Sequence, residues 1–253
     1  MKPCKAQHLE RANESGNILF LILIAVALFA FLSYAVSSST RGTGGTGREE
    51  NTSLRASQII QYATFTEQAV LRMRFRDVQD FEFCFDHDGW GHNDYDHAGC
   101  LDVKNQVFST HPDGGGVSWS KPPVGANDGS DWYIPANVCI AGLGKQTNDN
   151  CNADGTGFSE DIVLILPNVD QAVCIAINEN LSIPNPGGLP PQVSGDIFAA
   201  GQPYFTGTFA DGGVINSAGS DPAIIRGQQY GCVQGNGLPP AGTFHYYHVL
   251  LPR

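Results

Sequence analysis

Residues Ile18–Val36 (ILFLILIAVALFAFLSYAV) form an unbroken run of nineteen without a charge. At about 1.5 Å per helical residue the run spans roughly 28 Å, close to the hydrocarbon core of a bilayer. It predicts a hydrophobic helix that holds the chain in a membrane, with the rest of the protein carried on it. Everything after the run differs from it in character. The chain has 30 Gly and 15 Pro, and only 15% of its residues are charged. That composition suits a head of short strands and many turns.

The segment before the run allows three readings. A secretory signal peptide finds small residues for cleavage at Ser33 and Ala35, but its polar region is long and contains Glu10 and Glu14. An uncleaved anchor is allowed by length. The third is a prepilin leader: residues 1–16 are polar, carry Lys2, Lys5 and Arg11, and end in Gly16 directly before the apolar stretch. In this respect the N-terminus resembles type IV pilins and pseudopilins. The resemblance covers about the first 35 to 60 residues and does not extend to the head.

It implies cleavage after Gly16 by a prepilin peptidase, N-methylation of Asn17, and an assembly helix with Ile18, Leu21, Ile24, Leu28 and Leu32 along it. It also implies partners: the membrane, copies of this chain and other pilin-like subunits. The sequence departs from the family pattern at two positions. Asn17 stands where Phe or Met is preferred, and Leu21 stands where a Glu usually neutralises a neighbour's amino terminus. Absence of that Glu is, in the family this N-terminus resembles, mainly a feature of minor, tip-type subunits.

Net charge is −11 and unevenly placed. Residues 41–76 hold six Arg against three Glu, and residues 77–253 hold five Lys or Arg against twenty Asp or Glu. An acidic head does not suit nucleic acid, whose phosphates are met by Lys and Arg. It suits cations or a basic surface on a neighbouring subunit. Six of seven Cys follow the apolar run: Cys84, Cys100, Cys139, Cys151, Cys174 and Cys232. An even number beyond a membrane segment predicts three disulfides in an oxidising compartment. Proximity favours pairing 84 with 100 and 139 with 151, which leaves 174 and 232 to tie the end of the chain.

The expected organisation follows. Residues 1–16 are the leader, 17–37 the membrane helix, 38–48 a Gly-rich linker, 49–80 an amphipathic stalk helix and 81–253 a β-rich head. In the stalk, Ala56, Ile59, Ile60, Ala63, Val70, Leu71 and Val78 recur at helical spacing, interrupted by Glu67 and Arg74. Strands are expected at 81–85, 101–108, 116–119, 131–134, 138–142, 162–166, 204–209 and 244–251. One helix, 169–181, is expected with Asn168 as its cap and Gln171 completing a capping box. The fold class is therefore α+β: a long hydrophobic and then amphipathic helix, followed by a disulfide-bonded antiparallel head with one packed helix.

Chemistry-bearing clusters are few. The loop DHDGWGHNDYDHAG at 86–99 places Asp86, Asp88, Asp94 and Asp96 among three His, a pattern able to take Ca²⁺ or a transition metal. It lacks the EF-hand order. Residues 148–155 (NDNCNADG) are a second, weaker Ca²⁺ candidate that turn chemistry also explains. Trp90, Trp119, Trp132 and Tyr133 are either a carbohydrate- or partner-binding set or small cores beneath loops. No nucleophile elbow, zinc-protease, P-loop or dinucleotide motif occurs, and His245 and His248 fall on opposite faces of one strand. The expectation is a non-enzymatic, pilin-like structural subunit, single-pass in the inner membrane with its head outside the cytoplasm, or built into an extracellular filament. The alternative is a single-pass anchored ligand-binding or adhesin-type surface protein.

Overall fold

The structure is a computed structural model that describes residues 15–41, 43–87, 94–144, 160–194, 203–210, 213–217, 224–237 and 239–253. The chain divides into two compact units, Met1–Glu50 and Asn51–Arg253. The first contains helix α1, Ser15–Arg41. Helix α2, Thr43–Arg74, begins in the first unit and continues into the second. The Gly-rich stretch expected as a linker is helical wherever it is described, at 38–41 and 43–48. A Gly costs a helix about 1 kcal/mol, but extending an existing helix gains one hydrogen bond per residue fixed.

In the second unit, α2 buries Ala56, Ile59, Ala63, Thr66, Val70 and Met73. This stripe follows helical spacing, and it joins the core that the sheet shares with α2. The helix does not reach Asp80, as the sequence pattern suggested. Asp77 turns left-handed at φ 67°. Val78 N then donates to Met73 O and Asp77 N to Arg74 O, which is the Schellman ending of a helix.

Among the described residues the sheet has six strands: β1 Val138–Ile140, β2 Ile162–Leu166, β3 Gln192–Ser194, β4 Gly213–Ser217, β5 Tyr230–Gly235 and β6 Phe244–Leu251. Their order is β1-β4-β3-β5-β6-β2. The sheet is mixed, not purely antiparallel, because β1 pairs β4 and β3 pairs β5 in parallel. The two outermost strands also meet. Asp161, just before β2, donates its N–H to Val138 O, and its Oδ2 accepts from Ile140 N. Tyr133 exchanges two backbone hydrogen bonds with Ile165 of β2.

Two cores result. Ile162, Leu164 and Leu166 of β2 join Tyr246 and Leu250 of β6 in a cluster with α2 and helix α3. Val163 and Ile165 join Tyr247 and Val249 in a second cluster that also takes Val138, Val193, Ile215 and Val233. Both faces of β2 and β6 are thus covered, which is why these strands are almost continuously apolar.

Helix α3, Gln171–Asn180, lies against β5 and β6 and is shorter than expected. Its cap is Asp170, whose Oδ1 accepts from Ala172 N and Val173 N, not Asn168. Asn168 instead turns the chain at φ 52° and donates from its amide to Asp128 Oδ2. Val173, Cys174, Ile177 and Asn178 face inward, so the buried stripe is turned away from the exposed Ala172.

Several expected strands are not strands. Residues 80–82, 98–101 and 103–105 form short 3-10 helices, and Cys84 makes only an isolated bridge to Gln106. Stretches 116–119 and 131–134 are irregular, and Tyr204 makes only a bridge to Pro135. Aromatic side chains there fill a core rather than line a sheet: Phe83, Phe85 and Phe205 are fully buried. Disulfides Cys84–Cys100 and Cys174–Cys232 pair as expected. Cys139 is also disulfide-bonded, and Cys151, its expected partner, lies outside the described residues.

Candidate functional site

The apolar run lies within α1, whose backbone is helical from Ser15 to Arg41. Gly16, Asn17 and Ile18 are on that helix, and their side chains are outside the described set. All sixteen side chains from residue 19 to 34 are exposed. The large ones range from 41% at Ile24 to 74% at Phe31 and Tyr34. Leu21, Leu28 and Leu32 are among them, so the expected assembly positions face outward. Among the described residues no helix is long and apolar enough to cross a membrane. The membrane helix expected at 17–37 is thus not found as a span, although α1 is helical throughout that run.

A polar seam fixes α2 to the sheet. Glu67 Oε2 lies 2.7 Å from His248 Nε2, and His248 Nδ1 lies 2.8 Å from Tyr246 Oη. Gln229 Nε2 donates to Glu67 Oε1 at 2.7 Å. With a carboxylate on Glu67, His248 Nε2–H donates to it and Nδ1 accepts the Tyr246 hydroxyl proton. Burial holds the Tyr246 hydroxyl well above its usual pKa, which keeps it a donor. Tyr246 and His248 are both buried and Glu67 is 18% exposed, so these bonds tie α2 to β6 as a latch. His245 lies on the other face, as the period of two predicts. Its Nδ1 accepts from Asn168 N, and its Nε2–H reaches Thr243 Oγ1.

The arginines at the end of α2 are divided in use. Arg74 pairs with Asp80 at 3.3 Å and donates to Val78 O, closing its own helix end. Arg72 Nη2 donates to Gly115 O at 2.7 Å, and Arg76 Nη1 donates to Asp113 O at 2.9 Å. Among the described residues neither Arg72 nor Arg76 has a carboxylate partner. Beside Arg72 lies a cleft of about 430 Å³ between α2 and residues 116–120. Tyr62, Phe65 and Gln68 form the helix side, and Val117 and Ser118 the loop side.

The Asp/His loop is not assembled as a metal site among the described residues, where no group of three or more His, Cys, Asp or Glu could hold an ion. Asp88 and His92 lie outside the described residues, as do 148–155. Asp94 is exposed, and Asp86 and Asp96 are half-buried. His87 stacks on Trp119 at 3.8 Å between ring centres, and His97 Nδ1 hydrogen-bonds Tyr95 O at 3.1 Å. Tyr95 is buried and its hydroxyl accepts from Ile134 N, so the loop is pinned inward by an aromatic anchor. Trp132 is likewise buried and donates to Ser120 O. The described tryptophans therefore serve cores; Trp90 lies outside the described residues.

No protein-family model, curated protein or solved structure matches this chain. Function is therefore argued from the helix, the latch and the cleft alone. The sequence pattern did not mark the latch, because its partners are 181 residues apart. Its one signal was Glu67 interrupting an apolar stripe.

Proposed function

We propose that this protein is a pilin-like or pseudopilin-like subunit, of the minor type, held by α1 in the inner membrane or in a bundle of like helices. The observation that carries this reading is the outward exposure of every described side chain on α1 from residue 19 to 34. Each large apolar side chain left in water forgoes about 1.5–3 kcal/mol, so such a helix requires a cover. Lipid or neighbouring copies of α1 provide one, and packing among helices in lipid is driven by van der Waals contact. The nineteen-residue uncharged run, Gly16 before it and a disulfide-bonded head after it support the same reading. Leu21 in the place of the usual Glu favours a minor over a major subunit. The head then stands outside the cytoplasm, where disulfides persist.

Mass spectrometry of the mature N-terminus tests the proposal. An amino terminus at Asn17, N-methylated, is expected. Retention of Met1 would favour the anchored-receptor reading instead, and a start near Val36 would make the protein secreted.

A further inference from the structure

We infer that the cleft beside α2 is a docking site for the acidic head of a second copy of this chain, with Arg72 receiving a carboxylate. The inference rests on the assembly reading above and specifies where heads meet. Tyr62 forms the floor of the cleft, backed by the buried Trp132 at 5.1 Å between ring centres, and its Oη accepts from Ser120 N. The floor is thus rigid. Phe65 is 50% exposed on one wall and Val117 stands on the other. An aromatic or aliphatic side chain entering here is desolvated on both sides. Arg72 lines the same cleft with one guanidinium nitrogen committed to Gly115 O. Its remaining N–H groups offer the planar fork that suits a carboxylate. Lys121 and Asp131, at the far side of this loop, already pair with each other at 3.8 Å.

Tyrosine and arginine at the centre of a cleft, with apolar walls, are the residue types that dominate interface energetics. The occupant is chosen by charge. Residues 77–253 carry twenty acidic against five basic residues, so the head of another copy is the acidic surface that this arginine meets. Copies held side by side by α1 present that surface at high effective concentration.

The test uses the full-length protein in its membrane, with benzoylphenylalanine placed at Phe65 in one sample and at Leu28 in another. On irradiation, Phe65→benzoylphenylalanine is expected to yield a homodimer whose adduct maps within residues 77–253 of the second copy. Adding Arg72→Glu lowers that yield at least ten-fold, while Arg72→Lys lowers it by less than three-fold. Because Arg72 also holds Gly115, Gln68→Glu is a second probe. It places a negative charge at the cleft without touching that bond and is expected to reduce the yield as well. A Leu28 homodimer without a Phe65 homodimer overturns the docking site but not the assembly reading. Silence at both positions overturns both. A Phe65 adduct on a different protein, or one indifferent to Arg72→Glu and Gln68→Glu, overturns the inference.

Discussion

Asn178 shows what a single side chain does here and what a linear reading misses. It is fully buried on α3, its Oδ1 accepts from Cys232 N and its Nδ2 donates to Cys232 O, both at 2.8 Å. The amide therefore pairs with β5 as a strand residue would, beside the Cys174–Cys232 bridge. Asn178→Ala strands a buried N–H and a buried C=O and should cost about 2–3 kcal/mol, read by urea unfolding with disulfides intact. Nothing in the sequence marks it, since its partner lies 54 residues away. Glu67 and Arg74 were visible as defects in an apolar stripe. Both are anchors, one to His248 and one to Asp80.

At the scale of elements, β2 and β6 were legible to the residue, because burial on both faces makes each an unbroken apolar run. Strands β3, β4 and β5 were not. They are short or contain Gly and polar residues, and the β3–β5 pairing is parallel and distant in sequence. The candidate site was legible in the same proportion: the apolar run and the arginines stand out locally, whereas the cleft exists only once residues 116–120 fold against α2. Helix ends were blurred for a shared reason. α2 and α3 both finish in a Schellman turn with a non-glycine residue left-handed, Asp77 and Ser182. The usual Gly signal is absent from both. Asp77→Gly should relieve that backbone cost and stabilise the head by about 1 kcal/mol, seen as a raised Tm.

At the scale of the molecule, two buried titratable groups set opposing pH slopes. Burial raises the Asp161 carboxyl to about 6, against hydrogen bonds from Ile140 N and Arg253 N that lower it. Its folded value lies above the unfolded value near 4, so its contribution is fully present below pH 4 and lost as pH rises through 6. Burial lowers His245 to about 4, so its contribution is present above pH 6.5 and lost as pH falls through 4. Each is worth at most about 3 kcal/mol, and between pH 4 and 6 they offset one another. His245→Asn should therefore leave stability falling from pH 4 to 6, and Asp161→Asn should leave it rising, as measured by thermal unfolding across that range.

The meeting of β1 and β2 at Asp161 has a further consequence for how copies can associate. A sheet with an open side offers a ladder of unpaired N–H and C=O groups onto which a strand from another chain can add. Here the backbone groups of Val138 and Ile140 are taken by Asp161, and those of Ile165 by Tyr133. Strand addition at these places would first have to break the head's own bonds. At these places growth by sharing backbone is thereby disfavoured, which leaves side-chain contacts to join one head to another there.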